Sequence, residues 1–198
     1  MNFCSQCGNS VTLHVPPGDD RPRFICDVCA TIHYQNPKMV VGAVPVMDGK
    51  ILLCKRAIEP RRDTWTIPAG WLENGETVAA GAGREAEEEA RAKIDDLQPY
   101  VLVDLPFIHQ VYFIFRARLL NRDFHAGVES LEVKLFAPEE IPWDDLAFTA
   151  VYEALRFFCN DLKKGNFPFR ILELSDPSGP QSPVNCTGSE GAGNRLIW

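Results

Sequence analysis

Two Cys-x-x-Cys pairs, Cys4/Cys7 and Cys26/Cys29, stand eighteen residues apart near the start of the chain. Their spacing restricts what this segment can become more tightly than any pattern of apolar residues. Each pair forms a knuckle, and two knuckles fold four thiolates around one tetrahedral Zn²⁺. Metal binding then supplies folding free energy that so short a segment cannot obtain from a core of its own. The competing arrangement, two disulfides, requires an oxidising compartment. Residues 1–35 are therefore read as a zinc ribbon, with the loop Pro16 to Asp20 between the knuckles. Of the seven cysteines, Cys54, Cys159 and Cys186 remain, and Cys54 lies in the apolar run Ile51 to Cys54, which suits a buried, inert thiol.

From residue 36 the pattern changes. A β-rich run from Met39 to Val46 is followed by Asp48-Gly49 and a second apolar run from Ile51 to Arg56, the signature of a hairpin. Further strands are expected at Tyr100 to Leu105, Gln110 to Ala117 and Leu131 to Phe136. Helices are expected from Thr77 to Arg91 and from Ala150 to Lys163, the second burying Val151, Ala154, Leu155 and Phe158 on one face. Strands mixed with two helices imply an α/β layered domain over residues 36–172. Residues 173–198 are rich in Pro, Ser and Gly, and disorder is expected there.

The chemistry is concentrated in the first of those helices. At 100° per residue, Glu85, Glu88 and Glu89 share an arc of about 100° on one helix face, with Glu87 pointing elsewhere. Ala79, Ala82, Ala86 and Ala90 form a neighbouring stripe of small residues that allows close packing on a sheet. Three carboxylates within a turn repel one another, and such a cluster suits a hard cation such as Mg²⁺ or Mn²⁺. Taken alone, the same residues also describe a solvated acidic face.

Their context separates the two readings. Gly70, Glu76, Arg84, Glu85, Ala86, Glu88 and Glu89 occupy seven positions at fixed spacing over twenty residues. This pattern resembles the signature of Nudix hydrolases, and the wider resemblance covers about residues 36–165. It implies an α/β/α sandwich with a mixed sheet, preceded here by the small ribbon. It also implies that Glu85, Glu88 and Glu89 are ligands to Mg²⁺ (or Mn²⁺), with Gly70 adding its carbonyl and Glu76 and Arg84 acting as supports. Within that resemblance Glu88 and Glu89 are the catalytic carboxylates of the helix. The family often carries a further carboxylate in a loop before a late strand. Glu129 fits that place as ligand or general base, whereas Glu132 fits the polar face of the strand. The chain departs from the pattern at Arg91, where the family usually has Gly, at Ala92 and at Ala86. Arg91 either strains the helix terminus or lets the helix run on.

The resemblance implies cleavage of a nucleotide diphosphate by water, with AMP as one product and no covalent nucleophile. Stretches such as Leu52 to Arg56, Trp65 to Glu73, Glu129 to Glu132 and Asp161 to Gly165 are similar to plant-plastid and bacterial Nudix enzymes that hydrolyse FAD and ADP-ribose. A ribbon ahead of such a domain also resembles NADH pyrophosphatases that remove NAD caps from RNA. The Ser-Gln-Pro-Trp-Pro-Phe-Pro stretch of those enzymes is replaced here by Leu102 to Gln110. Phe107 and His109, with Tyr112 and Phe113, are candidates to stack on the base or flavin; for the last two, a place in the core or on the sheet competes. The small-molecule partner is thus a nucleotide; the two other classes considered are a non-catalytic nucleotide sensor and a nucleic-acid-binding adaptor working through the ribbon, the second disfavoured by the acidic balance and the short basic content of residues 1–35.

A net charge of −7 argues against long nucleic acid as the main partner. No apolar run approaches the roughly eighteen residues of a membrane span and the first residues lack signal-peptide features, so the expected location is the cytoplasm. The ribbon's role is left open among RNA binding, a homodimer contact and support of the catalytic domain.

Overall fold

The computed structural model describes residues 1–175; of the tail expected to be disordered from residue 173, Glu173 instead ends a strand and Leu174 N–H donates to the carbonyl of Asp104 at 3.0 Å, while 176–198, with Cys186, lie outside the described residues. The chain divides into two units, one of Met1–Pro37 and one that begins at Lys38, close to the change of pattern at residue 36.

In the first unit, β1 (Val11–His14), β2 (Arg23–Cys26) and β3 (Ile32–His33) form an antiparallel sheet in chain order. The knuckles are tight turns. Gly8 N–H donates to the carbonyl of Cys4 at 2.9 Å, and Ala30 N–H to that of Cys26 at 2.8 Å.

In the second unit β4 (Lys38–Met47) and β5 (Lys50–Arg56) form the expected hairpin. Asp48 and Gly49 both have positive φ, 52° and 75°, as a two-residue turn that follows strand twist requires. Two short strands come next: β6 (Trp65–Thr66) pairs with β5, and β7 (Ala69–Trp71) pairs with β4. The remaining elements are α1 (Val78–Ala90), β8 (Ile94–Leu105), β9 (Gln110–Leu119), β10 (Ser130–Phe136), α2 (Thr149–Lys164) and β11 (Arg170–Glu173). The main sheet runs β10-β5-β4-β9-β8-β11. Pairing is parallel for β4 with β9 and for β8 with β11, and antiparallel elsewhere, so the sheet is mixed.

The alternation in β4 and β5 accounts for the layers. Val40, Val44, Ile51 and Leu53 pack with Val151, Ala154, Leu155 and Phe158 of α2. Val41 and Ala43 pack with Ala82, and Leu52 and Cys54 with Ala90, all on the side of α1. Both faces are covered, which is why these strands are apolar almost throughout. The result is an α/β/α sandwich. Among the described residues no helix is long and apolar enough to cross a membrane.

Strand β8 starts six residues before the expected Tyr100, and β11 is an element that the sequence did not suggest. A short parallel edge strand has few contacts of its own, and β11 is held by a buried polar knot. Tyr100 Oη donates to Asp161 Oδ2 at 2.7 Å, and Arg170 donates to Oδ1 and Oδ2 of the same carboxylate, both at 2.7 Å. Asp161 is 2% exposed, on α2, so a single carboxylate ties α2 to β8 and β11. Removing it leaves the partly buried Arg170 guanidinium, 21% exposed, and the buried Tyr100 hydroxyl without their shared partner, at a cost of about 3 kcal/mol. Asp161→Ala is expected to lower the unfolding free energy by that amount in urea denaturation; a loss below about 1 kcal/mol would contradict this role.

Candidate active site

Helix α1 begins at a capped turn, with the Thr77 hydroxyl accepting from the N–H of Ala80 at 3.1 Å. It ends at Arg91, which adopts the left-handed conformation (φ 51°), while Arg91 N–H bonds the carbonyl of Glu87 and Ala92 N–H that of Ala86. The helix thus stops where the family usually has Gly, and a residue with a Cβ holds that conformation at a cost of about 1 kcal/mol. Ala82, Ala86 and Ala90 are fully buried, and these small residues bring the helix close to the sheet.

That close approach buries carboxylates. Glu85 and Glu89 are 8% and 6% exposed, whereas the side chain of Glu88 is 59% exposed. Arg84 gathers three of the acids: it grips Glu76 through Nε (3.1 Å) and Nη2 (2.9 Å), and its Nη1 reaches Glu85 (2.8 Å) and Glu88 (3.0 Å). Its Nη2 also donates to the carbonyl of Trp71 at 2.9 Å, tying the helix to β7. Glu76 in turn accepts from the N–H of Glu73 at 2.7 Å, and the Arg84 guanidinium holds its carboxyl below the usual range. Glu89 is reached from the other side, by the N–H of Ala69 at 3.1 Å.

Two glycines let the backbone close on this cluster. A Cβ on Gly70 would lie 2.4 Å from a Glu85 carboxylate oxygen, so the Gly70 backbone rests directly on that acid. A Cβ on Gly127 would lie 1.8 Å from the carbonyl of Glu88, while Gly127 N–H donates to the carbonyl of Glu89 at 2.9 Å. The loop therefore docks on the end of α1 only because residue 127 has no side chain, and it brings Glu129 within electrostatic reach of Glu85 and Glu89. The sequence reading did not single out Gly127; the only local hint is a glycine two residues before a candidate carboxylate. Glu132 lies on β10 in register with Lys55, as the polar face of a strand.

Burial pushes the Glu85 carboxyl up, with Arg84 opposing and Glu88 and Glu129 adding to the rise. Burial also pushes Glu89 up, to about 8; the Ala69 N–H and Arg56 oppose it, and Glu85 and Glu129 reinforce it. Four carboxylates with a single arginine bonded among them carry a local excess of negative charge. Their oxygens are hard donors on a fixed helix and a docked loop, which fits a divalent cation of the Mg²⁺ or Mn²⁺ type.

The aromatic candidates fare differently. Phe107 lies in a one-turn helix, Pro106–Ile108, and is 38% exposed; His109 closes that turn with φ 55°. Neither makes a hydrogen bond or ring contact with the carboxylates among the described residues. Tyr112 is buried in the core on the α2 side, and Phe113 packs on Phe115 and Phe169. Cys54 is 1% exposed, and burial pushes its thiol up, as suits an inert residue.

In the ribbon the four Sγ atoms of Cys4, Cys7, Cys26 and Cys29 lie within 4.8 Å of one another. Cys4–Cys29 and Cys7–Cys26 are separated by 3.6 and 3.4 Å. A disulfide needs about 2.05 Å, whereas the edge of a zinc–thiolate tetrahedron is about 3.8 Å, so the spacing fits zinc. His33 Nε2, Asn9 Nδ2 and Thr31 Oγ1 approach the sulfurs of Cys4, Cys7 and Cys29 at 3.3, 3.4 and 3.1 Å, an outer ring that orients the thiolates.

Comparison with known proteins bears on both units. The family model described as Nudix N-terminal, a zinc ribbon, matches residues 2–35, and the NUDIX domain model matches residues 36–157. A NUDIX hydrolase of known structure from Nitrosomonas europaea is 50% identical, with a TM-score of 0.85 over 88% of this chain and 99% of that one. The ADP-ribose pyrophosphatase of Methanocaldococcus jannaschii is 30% identical over 113 residues, 55% of this chain and 67% of that protein. The NAD-capped RNA hydrolase NudC of Photobacterium profundum is 25% identical over 139 residues, 69% of this chain and 50% of that protein. The chain spans about half the length of the NAD-capped RNA hydrolases that it matches.

Elemental analysis of the purified protein is expected to find about one zinc per chain, and chelation is expected to expose four additional reactive thiols and unfold the ribbon. Folded, zinc-free protein with these cysteines oxidised would contradict the assignment.

Proposed function

The chain belongs to the Nudix family of hydrolases, and on that premise we propose that it cleaves the diphosphate of FAD and/or ADP-ribose, giving AMP plus FMN or ribose 5-phosphate. The observation that carries this reading is the burial of Glu85 and Glu89 beside Glu88 and Glu129, a concentration of carboxylate that, among the described residues, Arg84 and Arg56 only partly balance. Glu85, Glu88 and Glu89, with the carbonyl of Gly70, are the residues that would hold Mg²⁺ or Mn²⁺. When bound, the cation neutralises charge on the diphosphate and makes water more acidic.

The chain's own residues do the rest. Arg84 and Glu76 hold Glu85 and Glu88 in place. Glu129, on the loop docked through Gly127, accepts the proton of the attacking water; an oxygen–phosphorus bond forms, and the bridging oxygen leaves with the second phosphate. The ADP half is common to ADP-ribose, FAD and NADH, which accounts for AMP as the shared product. The relative named for ADP-ribose supports that substrate, whereas FAD rests on the shared sequence stretches alone.

A second reading has equal support. Several similar proteins are named NAD-capped RNA hydrolases, among them one from Vibrio atlanticus at 32% identity over 100 residues. Hydrolysis of NADH or of an NAD cap needs only the 5′ dinucleotide in the site, so the net charge of −7 does not exclude an RNA partner. A purely sensing role is disfavoured by the complete carboxylate set. Four thiols poised for zinc suit a reducing compartment, which supports a cytoplasmic location.

Incubation with Mg²⁺ and a panel of ADP-ribose, FAD, NADH and NAD-capped RNA, read by chromatography, is expected to release AMP from ADP-ribose or FAD. If every compound stays intact over hours while one binds tightly, the enzyme reading fails and a sensor takes its place. Glu88→Gln alters an exposed side chain and is expected to keep the melting temperature while turnover falls by at least roughly a hundredfold. Near-parental turnover would remove Glu88 from the site.

A further inference from the structure

The start of β10 places a polar and an apolar residue against the preference of each. Further along the strand, Val133 and Leu135 stand opposite Cys54 and Leu52 and pack with them on the α1 side. Continued at period two, that row would put Leu131 opposite Arg56. The register slips between Ser130 and Glu132, so Ser130 takes the place opposite Arg56 and Leu131 is the extra residue of a bulge. Ser130 is accordingly 8% exposed and Leu131 45%. Folding alone would gain from the reverse, since burying a leucine is favourable and burying a hydroxyl is not.

Two more aliphatic side chains stand in water close by. Val128 is 88% exposed and Ile58 39%. Val128 is held on both sides: Gly127 N–H donates to the carbonyl of Glu89 at 2.9 Å, and the carbonyl of Glu129 accepts from Ala57 N–H at 2.8 Å. Because β5 and β10 are antiparallel, this second bond makes Ile58 and Val128 the next residues along the two segments, at one level. The three residues thus flank Glu129. By chain length alone the Cα atoms of Val128 and Leu131 lie within about 4 and 8 Å of that of Glu129. Aiming Glu129 requires the bulge, but it requires neither a leucine in it nor a valine ahead of it. An apolar step at the mouth of a site crowded with carboxylates gains nothing from a diphosphate or a cation. It gains from apolar surface carried by the substrate, and in a nucleotide that surface is the face of a ring.

We propose that Ile58, Val128 and Leu131 form an apolar step on which a planar ring of the substrate rests, beside the phosphate that Glu129 serves. This deepens, and rests on, the diphosphatase reading above. The ring has two sources: the adenine common to ADP-ribose, FAD and NADH, or the flavin or nicotinamide at the other end. A step that holds adenine adds affinity for all three. A step that holds the second ring favours FAD and NADH over ADP-ribose, whose other end is a sugar.

The test uses the full chain. Val128→Ser combined with Leu131→Ser alters two exposed side chains and is expected to keep the parental melting temperature. For whichever nucleotide the parent cleaves, KM should rise at least roughly tenfold while kcat stays within about threefold. A fall in kcat at unchanged KM would mean that these residues only hold Glu129, and would overturn the proposal. Calorimetry in Mg²⁺ with inorganic pyrophosphate, ADP, FMN and nicotinamide mononucleotide separates ring from phosphate. Pyrophosphate affinity should stay within about twofold; affinity should fall at least roughly fivefold for ADP if adenine is the ring, or for one of the other two mononucleotides if it is not. Val128→Ile with Leu131→Met keeps the step apolar and should hold KM within about threefold of the parent. Should the double serine variant fail to fold, Val128→Ser alone decides, with KM expected to rise at least roughly threefold. A folded variant that matches the parent in KM and in affinity for all three mononucleotides overturns the proposal and leaves the diphosphatase reading intact; if it also dissociates a parental dimer in sedimentation, the step is a contact between two copies. A parent that cleaves none of the nucleotides, yet loses mononucleotide affinity in the variant, defeats the diphosphatase reading and leaves the ring site standing.

Discussion

Negative charge buried at the end of α1 sets the terms for the rest of the catalytic domain. Glu85, Glu88 and Glu89 lie in the last part of the helix, where the aligned peptide dipoles already present their negative end, and the last turn contains no basic residue. Burying two of them raises their affinity for protons, and the pairing with Arg84 only partly offsets this for Glu85. A chain built for stability alone would place these acids at the other end of the helix or leave them in water. On the proposed reading a cation completes the arrangement and makes it favourable, so that stability at this position is exchanged for binding.

Holding like charges together requires a frame that cannot relax away from them. The frame is made of close backbone approaches: the fully buried alanines of α1 against the sheet, Gly70 against Glu85, and Gly127 against the carbonyl of Glu88. Arg84 then fixes the rotamers, since one guanidinium bonded to Glu76, Glu85, Glu88 and the Trp71 carbonyl leaves those side chains little freedom. On the far face of the sheet, Asp161 does comparable work for the scaffold by joining α2, β8 and β11.

The two units solve the folding problem differently. The catalytic domain has a two-sided core built on β4, β5 and β9, and its order comes from apolar burial. The ribbon has a three-stranded sheet with mostly exposed side chains, and its order comes from four sulfurs brought to tetrahedral spacing.

Much of this was legible in the sequence because it is encoded at short range. The cysteine spacing defines the knuckles, Asp48-Gly49 defines a turn, and the 100° step of a helix puts Glu85, Glu88 and Glu89 on one face. The sequence alone could also limit the helix end to two outcomes, and the left-handed Arg91 shows which one occurred. It could not show that Glu89 is buried while Glu88 is exposed, that Gly127 docks on α1, or that Arg170 completes a knot with Tyr100 and Asp161. These features depend on contacts between residues tens of positions apart, where burial, and with it the strength of every charge, is decided by packing. Local spacing determined which groups could act together; only the tertiary structure decided which of them lose their water, because solvent exclusion is a property of the assembled sheet and helices.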